Sequence, residues 1–198
     1  MGLQLLPGFE RTVVVENLRL AADSTAMRLT MHFGVGTASL FLLVAFAPRL
    51  SSLEQLRAVV RPTMLLAVAT VIGVLGLAWL IGVVRLDPKL PNVSAAYLIR
   101  TIFWTAVFEE CIFRALLQDY LSSLRFFRAR PFVPVVILAA VFGLAHDAHF
   151  GAMFWITAGA GLGYGATYYK CRSIEAPVFV HAALNAAHFF LLSYPKLI

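Results

Sequence analysis

Two adjacent glutamates, Glu109 and Glu110, lie with Arg114 in an otherwise apolar run of the chain. In a membrane helix, each ionisable side chain costs roughly 2.5–3.5 kcal/mol to insert at the helix centre, so three of them cost about 7–10 kcal/mol before they pair. Ionisable residues at such positions mark ion pathways and sites of chemistry, and a glutamate is a candidate general base. This run therefore predicts a functional site.

The spacing within the run gives the two carboxylates different neighbours. Adjacent residues on an α-helix point about 100° apart, so we expect that Glu109 and Glu110 do not face one site. Glu110 and Arg114 are four residues apart and so lie on one face, which predicts a structural ion pair. Glu109 is then free to face the interior of a helix bundle. The alternative is that all three side chains form one buried network that serves helix packing.

Two later runs bring further polar groups to apolar segments. His146 follows Phe142 by four residues, and His181 and Asn185 are stacked at i and i+4. A lone histidine in a membrane helix is more often a hydrogen-bonded core residue than a catalyst. Three segments that each carry such a group are harder to explain by packing, and they predict one shared interior site.

The segments that carry these residues are predicted to be membrane helices. The chain of 198 residues is 61% hydrophobic and 13% charged, with a mean hydropathy of +0.84, whereas soluble domains have about twice that charged fraction. A stretch of about 17–25 apolar residues can cross a hydrocarbon core about 30 Å thick. Such stretches predict an all-α fold, a polytopic membrane helix bundle of about six transmembrane helices, at 30–46, 64–84, 94–121, 132–146, 151–169 and 176–194.

The first 26 residues differ in composition from the rest of the chain. They mix charged residues with Val13 to Val15, and they lack the basic start and apolar core of a cleaved signal peptide. We expect residues 1–26 to be a polar N-terminal tail or a short interfacial helix. No linker or repeat divides the remainder, so residues 27–198 are predicted to form one membrane domain.

The net charge of +6 does not indicate nucleic-acid binding, because the basic residues are spread over loops and do not form one patch. Alternate loops carry eight and six of them, and the positive-inside rule favours a cytoplasmic position for the loops near Arg49, Arg125 and Arg172, with both termini outside. The expected partner of the whole protein is the lipid bilayer. The compact chain, without a eukaryotic targeting signal, favours a multi-pass protein of the bacterial inner membrane.

Taken together in this order and spacing, three motifs resemble the CPBP family. The motifs are Glu109-Glu110-x-x-x-Arg114, Phe142-x-x-x-His146 and His181-x-x-x-Asn185, which span residues 109–185. The CPBP family, also called ABI, comprises CAAX-processing and bacteriocin-processing intramembrane endopeptidases. Its eukaryotic members remove the last three residues of prenylated CAAX proteins.

The resemblance implies a glutamic-type protease that needs no cofactor. It implies that Glu109 is the general base on a water molecule that His146 also holds, and that His181 and Asn185 form an oxyanion hole. Glu110 and Arg114 would support this site. The implied substrate is a membrane protein or lipidated peptide that is processed at its carboxyl terminus, whether CAAX-like, bacteriocin-like or a substrate of surface-protein sorting.

Other chemistries and functions stay open on the residues alone. Two histidines and a glutamate are also a ligand set that zinc accepts with one position left for water, although the helical two-histidine spacing of common membrane metalloproteases is missing. Cys111 is a weaker candidate as a nucleophile. A catalytically silent helix-binding scaffold or immunity protein, or a small transporter, would keep intramembrane charges without hydrolysing a peptide.

A glycine-rich stretch, Gly159 to Gly165, lies inside the fifth predicted span. Gly159 with Gly163, and Gly161 with Gly165, give small-xxx-small faces that let helices approach closely. The pattern predicts close packing of this helix, either within the bundle or in a homodimer through the Gly159–Gly165 face.

Overall fold

Helices make up most of the chain, as hydropathy predicts, and an N-terminal β-hairpin precedes them. The computed structural model describes residues 11–198. Two strands are therefore the departure from the predicted all-α fold. The helices are α1 (Phe33–Ala45), α2 (Leu53–Leu80), α3 (94–123), α4 (Val133–His146), α5 (Ala152–Cys171) and α6 (Glu175–Leu191), with a 3-10 turn at Arg125–Phe127 before α4.

The hairpin pairs strand β1 (Arg11–Leu18) with strand β2 (Met27–His32) in antiparallel register. One of the two predictions for residues 1–26 was an interfacial helix. That prediction is wrong for residues 11–18, which form a strand. Consecutive β-branched side chains from Thr12 to Val15 favour the extended backbone. Residues 1–10 of the predicted tail lie outside the described residues.

Helix α2 is the longest stretch of uninterrupted α-helix in the described part of the chain, and it begins at Leu53 instead of the predicted Met64. The sequence prediction excluded its first turns because they carry Glu54, Arg57 and Arg61. The structure continues the helix through them, with the Ser52 hydroxyl accepting a hydrogen bond from the Gln55 amide at 3.1 Å as an N-cap.

Among the helices within residues 11–198, α2 is the one that is both long and apolar enough to cross a membrane. Helices α1 and α4 are apolar but shorter. Its large apolar side chains, such as Leu65 (63% exposed) and Ile72 (68% exposed), are left uncovered by the rest of the chain. Contact with lipid would explain such a face. The count of six membrane spans stays a prediction.

Helix α3 is continuous but changes its hydrogen-bonding pattern twice. Its α-helical parts are Ser94–Arg100, Val107–Glu110 and Asp119–Ser123, and π-helical turns occupy Thr101–Ala106 and Cys111–Gln118 between them. The glutamate pair thus lies on a single α-helical turn between two π-helical segments. Because π-helical turns are rare and occur frequently at functional sites, the backbone of α3 indicates a functional site near the glutamate pair.

The glycines of α5 allow close packing inside the chain. A Cβ atom added at Gly161 would lie 3.0 Å from the Cβ of Phe142 on α4, and one at Gly165 would lie 2.9 Å from Val135 Cγ1. On the opposite face, Gly163 abuts Thr70 of α2. The predicted close approach is therefore present within the bundle. The homodimer through the same face stays a prediction.

The two ends of the bundle are closed by different sets of loops. At one end the hairpin turn, the loop after α2 and the C-terminal segment meet, with Arg85 Nε 2.7 Å from Asp23 Oδ2 and a β-bridge between Ser24 and Leu197. At the other end, the loop before α2 meets the start of α6, where Leu50 donates its amide hydrogen to Glu175 Oε1 at 2.9 Å.

Candidate active site

A cavity of about 390 Å³ lies among helices α2 to α6, and four of the predicted site residues line it. They come from three helices, as the sequence analysis expected. Most of the remaining lining is apolar and includes Val74, Leu75, Met153, Ile156 and Leu184. The four predicted site residues that line the cavity are Glu109 on α3, His146 on α4, and His181 and Asn185 on α6.

His181 lies between the two glutamates. Its Nδ1 is 2.8 Å from Glu110 Oε1, and its Nε2 is 4.0 Å from Glu109 Oε2. Glu109 lines the cavity and Glu110 does not, so the two carboxylates face different surroundings, as expected. One imidazole from α6 lies between them because its two ring nitrogens point to opposite sides.

The ion pair predicted between Glu110 and Arg114 is present and fully buried. Arg114 Nε lies 2.9 Å from Glu110 Oε2, and neither side chain is exposed. The guanidinium also lies over the rings of Phe113 and Phe142, with its carbon 5.8 and 5.9 Å from the ring centres. Glu110 thus receives Arg114 on one oxygen and His181 on the other, so this carboxylate fixes the orientation of the histidine.

Tyr164 of α5 holds the plane of the His181 ring. The two rings are stacked with centres 4.4 Å apart and planes at 10°, and Phe142 meets the same imidazole edge-on at 6.3 Å. Tyr164 was not among the predicted site residues, because a position within a glycine-rich stretch gives no signal of contact with a histidine. Since Tyr164 is 2% exposed, the stack is a fixed part of the core.

His146 and Asn185 present polar groups to the cavity with few protein partners. His146 lies at the end of α4, where its Nδ1 is 2.8 Å from the carbonyl oxygen of Phe142. That nitrogen donates to the carbonyl, so the other ring nitrogen, Nε2, is left as an acceptor. Within residues 11–198, the side-chain amide of Asn185 makes no hydrogen bond, although its backbone carbonyl accepts one from Tyr97 at 3.2 Å.

A second cavity, of about 290 Å³, adjoins the first on the side of the β-hairpin. Arg100, Thr105 and Glu109 line both cavities. Trp104 ties the hairpin to α3 here, since its Nε1 donates to the His32 carbonyl oxygen at 2.7 Å. Arg100 was not among the predicted site residues, although a cation within the third predicted span is a signal that could have identified it.

The geometry bears on two alternative chemistries, a cysteine nucleophile and a metal site. Cys111 is fully buried in an apolar cluster with Val107, Tyr168 and Ile174 and does not line the cavity, so the structure contradicts a nucleophilic role. In the part of the chain that the structure describes, no three His, Cys, Asp or Glu side chains are grouped to hold a metal ion.

Comparison with known proteins gives one match. Residues 91–187 match a family model described as type II CAAX prenyl endopeptidase Rce1-like. The matched range begins in the loop before α3 and ends within α6. It contains the four predicted site residues that line the cavity and the buried Glu110–Arg114 ion pair. No curated protein and no solved structure matches the chain.

Proposed function

We propose that the protein is an intramembrane endopeptidase, because residues 91–187 match the family model described as type II CAAX prenyl endopeptidase Rce1-like. Its substrate is a membrane-associated protein or lipidated peptide, cut near the carboxyl terminus. The apolar lining of the larger cavity suits aliphatic substrate residues. A prenylated CAAX-type peptide is the first substrate to test, before bacteriocin-like and surface-sorting substrates.

The proposed reaction begins with Glu109. Its carboxylate takes a proton from a water molecule while the water oxygen attacks the carbonyl carbon of the scissile peptide bond. His146 helps to hold that water through Nε2, the ring nitrogen that its hydrogen bond to Phe142 leaves available. The proton on Glu109 then passes to the leaving amine as the carbon–nitrogen bond breaks. Atoms and charges balance with water as the only co-reactant.

The negative oxygen of the tetrahedral intermediate is proposed to be stabilised by His181 and Asn185. Both line the cavity from one face of α6, and the free amide group of Asn185 can donate toward it. His181 is held between Glu110 and the Tyr164 ring, so the imidazole is already oriented, and it donates from Nε2 in the form that carries a second proton there. Donors fixed in advance, in a site that excludes water, give the largest electrostatic effect.

One observation carries this proposal: Glu109, His146, His181 and Asn185, far apart in sequence, line one cavity. A helix-binding scaffold has no need for a carboxylate that faces two histidines across an apolar cavity. The proposal also includes six membrane spans and a place in the bacterial inner membrane. The chain composition and the uncovered apolar face of α2 support it.

Cleavage of a prenylated CAAX peptide in proteoliposomes tests the proposal. Wild-type protein should cut the peptide, and Glu109→Gln should lose activity by at least about 10²-fold, since positioned acid–base groups contribute about 10²–10⁴-fold. Glu54→Gln is the matched control, because Glu54 is exposed at the start of α2. Equal activity of wild type and Glu109→Gln would overturn the mechanism.

The same assay separates the alternative functions. Activity that disappears with a chelator and returns with zinc would replace the metal-free mechanism by a zinc-dependent one. Peptide binding without cleavage, equal in wild type and Glu109→Gln, would instead support the silent scaffold.

A further inference from the structure

Arg100 is a cation with no carboxylate at ion-pair distance in the described part of the chain. Among residues 11–198 it makes no ion pair, and its Nε is buried without a hydrogen-bond partner. Its side chain lines both cavities together with Thr105 and Glu109. A buried charged donor that is left without an acceptor is costly. Because Nε of the half-buried Arg100 is in this position and its side chain lines the cavities, an anionic group bound there would supply the missing acceptor.

The π-helical turns of α3 explain how Arg100 comes to face the cavity. On an uninterrupted α-helix, residues nine apart point about 180° away from each other, so Arg100 and Glu109 would lie on opposite faces. The π-helical segment Thr101–Ala106 lies between them and takes more residues per turn. This change of phase brings both side chains to the lining of the same two cavities.

The surroundings of Arg100 are positive. The smaller cavity is lined by Arg11, Arg100 and His32, with Glu109 as its acidic residue. An anionic group that enters from the larger cavity therefore meets two arginines and one carboxylate in this region.

We propose that Arg100 binds the free C-terminal carboxylate of the substrate, and so sets which peptides are cut and where. This inference rests on the proposed endopeptidase function. Arg100 and Glu109 line the same two cavities. The segment between the scissile bond at Glu109 and the carboxylate at Arg100 is therefore a short peptide. Apolar side chains such as Val83, Val84 and Ile156 line the larger cavity along which that peptide extends.

The test compares two peptides that differ only at their ends. One is a farnesylated CAAX peptide with a free carboxylate, and the other is its C-terminal amide. Hydrogen bonds to charged groups are strong enough for wild-type protein to prefer the acid by about 10- to 100-fold in kcat/KM. Arg100→Gln should reduce that preference to less than about twofold by lowering cleavage of the acid alone. Arg100→Lys should keep part of it, because lysine retains the charge but not the planar fork.

The controls separate recognition from structure. Arg57→Gln removes an exposed arginine of α2 and should keep the wild-type preference. An amidated peptide that carries a glutamate near its end tests the source of the carboxylate. Its cleavage at the rate of the acid would overturn recognition of the terminus. An equal loss of both peptides with Arg100→Gln would also overturn the proposal, because a structural role predicts that result.

A binding measurement keeps this inference distinct from the proposed chemistry. Fluorescence anisotropy of the labelled acid and amide peptides on Glu109→Gln protein requires no turnover. The acid should bind more tightly, and adding Arg100→Gln should abolish the difference. If neither peptide is cut by wild type but this pattern holds, the chemistry fails and the carboxylate site stands. If both are cut at the same rate, the chemistry stands and the carboxylate site fails.

Discussion

The hydrogen bonds of His181 determine how this histidine can serve the reaction. Glu110 accepts a hydrogen bond from Arg114 on one oxygen and approaches His181 Nδ1 with the other. A carboxylate paired with an arginine is an acceptor, so Nδ1 carries the proton. The ring can then donate from Nε2 only when it holds a second proton. Glu109 Oε2 lies 4.0 Å from Nε2, on the side where that second proton would be.

Substitution of Asn185 and Glu110 should separate chemistry from support. Asn185→Ala should slow cleavage by about 10²–10³-fold, the usual loss for one oxyanion donor, with an unchanged melting temperature in detergent. Asn92→Ala, in the exposed loop before α3, is the matched control. A large fall in melting temperature for Asn185→Ala would contradict its role as a donor and would assign it to packing.

Glu110→Gln should lose both activity and stability. It leaves the fully buried Arg114 without a counter-charge, and breaking such a pair costs about 3–5 kcal/mol. For a chain of this size we expect the melting temperature to fall by about 6–20 °C. A variant that melts like wild type would show that the ion pair does not hold the site together.

At this scale the sequence predicts pairings within one helix better than contacts between helices. The pair Glu110–Arg114 follows from i,i+4 spacing and is present. The position of His181 between two carboxylates depends on how α6 packs against α3, and no spacing within one helix contains that information. Arg100 was overlooked for a related reason, since its access to the cavity depends on π-helical turns that the apolar pattern does not reveal.

Among the elements, hydropathy located the helices well and their ends poorly. The segments predicted near 132–146, 151–169 and 176–194 correspond to α4, α5 and α6 within a few residues. Helix α2 starts earlier than predicted, because a helix can continue through charged residues where an apolar window stops. Strand β1 was missed, although its run of β-branched residues was a usable signal.

The packing of α5 against α2 can be tested by substitution of Gly163, with Gly159 on the same face of α5 as the control. A Cβ at Gly163 would lie 2.6 Å from Thr70 Cγ2, whereas one at Gly159 would lie 3.7 Å from Val74 Cγ2. Gly163→Ala should therefore lower the melting temperature by several degrees, since overpacking typically costs about 1–3 kcal/mol, and Gly159→Ala should be neutral. Adding Thr70→Ala to Gly163→Ala should recover part of the loss.

A contrary result would bear on the homodimer. If Gly159→Ala and Gly163→Ala both keep the monomer stable but weaken self-association in crosslinking, the glycine face serves contact between two copies. Similar stability losses in both variants would contradict the difference in packing seen on α2.

On the scale of the whole molecule, the loops fall into two groups that agree with the alternation predicted from the six apolar stretches. The hairpin turn, the loop after α2 and the C-terminal segment share one end. The loop before α2 and the start of α6 share the other. Arg172, near the start of α6, lies 3.4 Å from Asp119 of α3 and joins the last part of α3 to that second end. This arrangement allows the bundle to cross a membrane with its cavity between the two loop groups.

Labelling of single cysteines tests this placement. Ser51, Asn92, Arg128 and Lys196 are exposed positions at the two ends, and each is changed to Cys in a Cys171→Ala background, where the remaining Cys111 is fully buried. With a membrane-impermeant maleimide, Ser51→Cys and Arg128→Cys should react from the cytoplasmic side, and Asn92→Cys and Lys196→Cys from the opposite side. If α2 alone crossed the membrane, Asn92→Cys, Arg128→Cys and Lys196→Cys would react from one side and Ser51→Cys from the other. That pattern would contradict the six-span bundle.

If the same two groups of positions react, but each from the opposite side, the six spans stand and the predicted orientation is wrong. The orientation rests on eight basic loop residues against six.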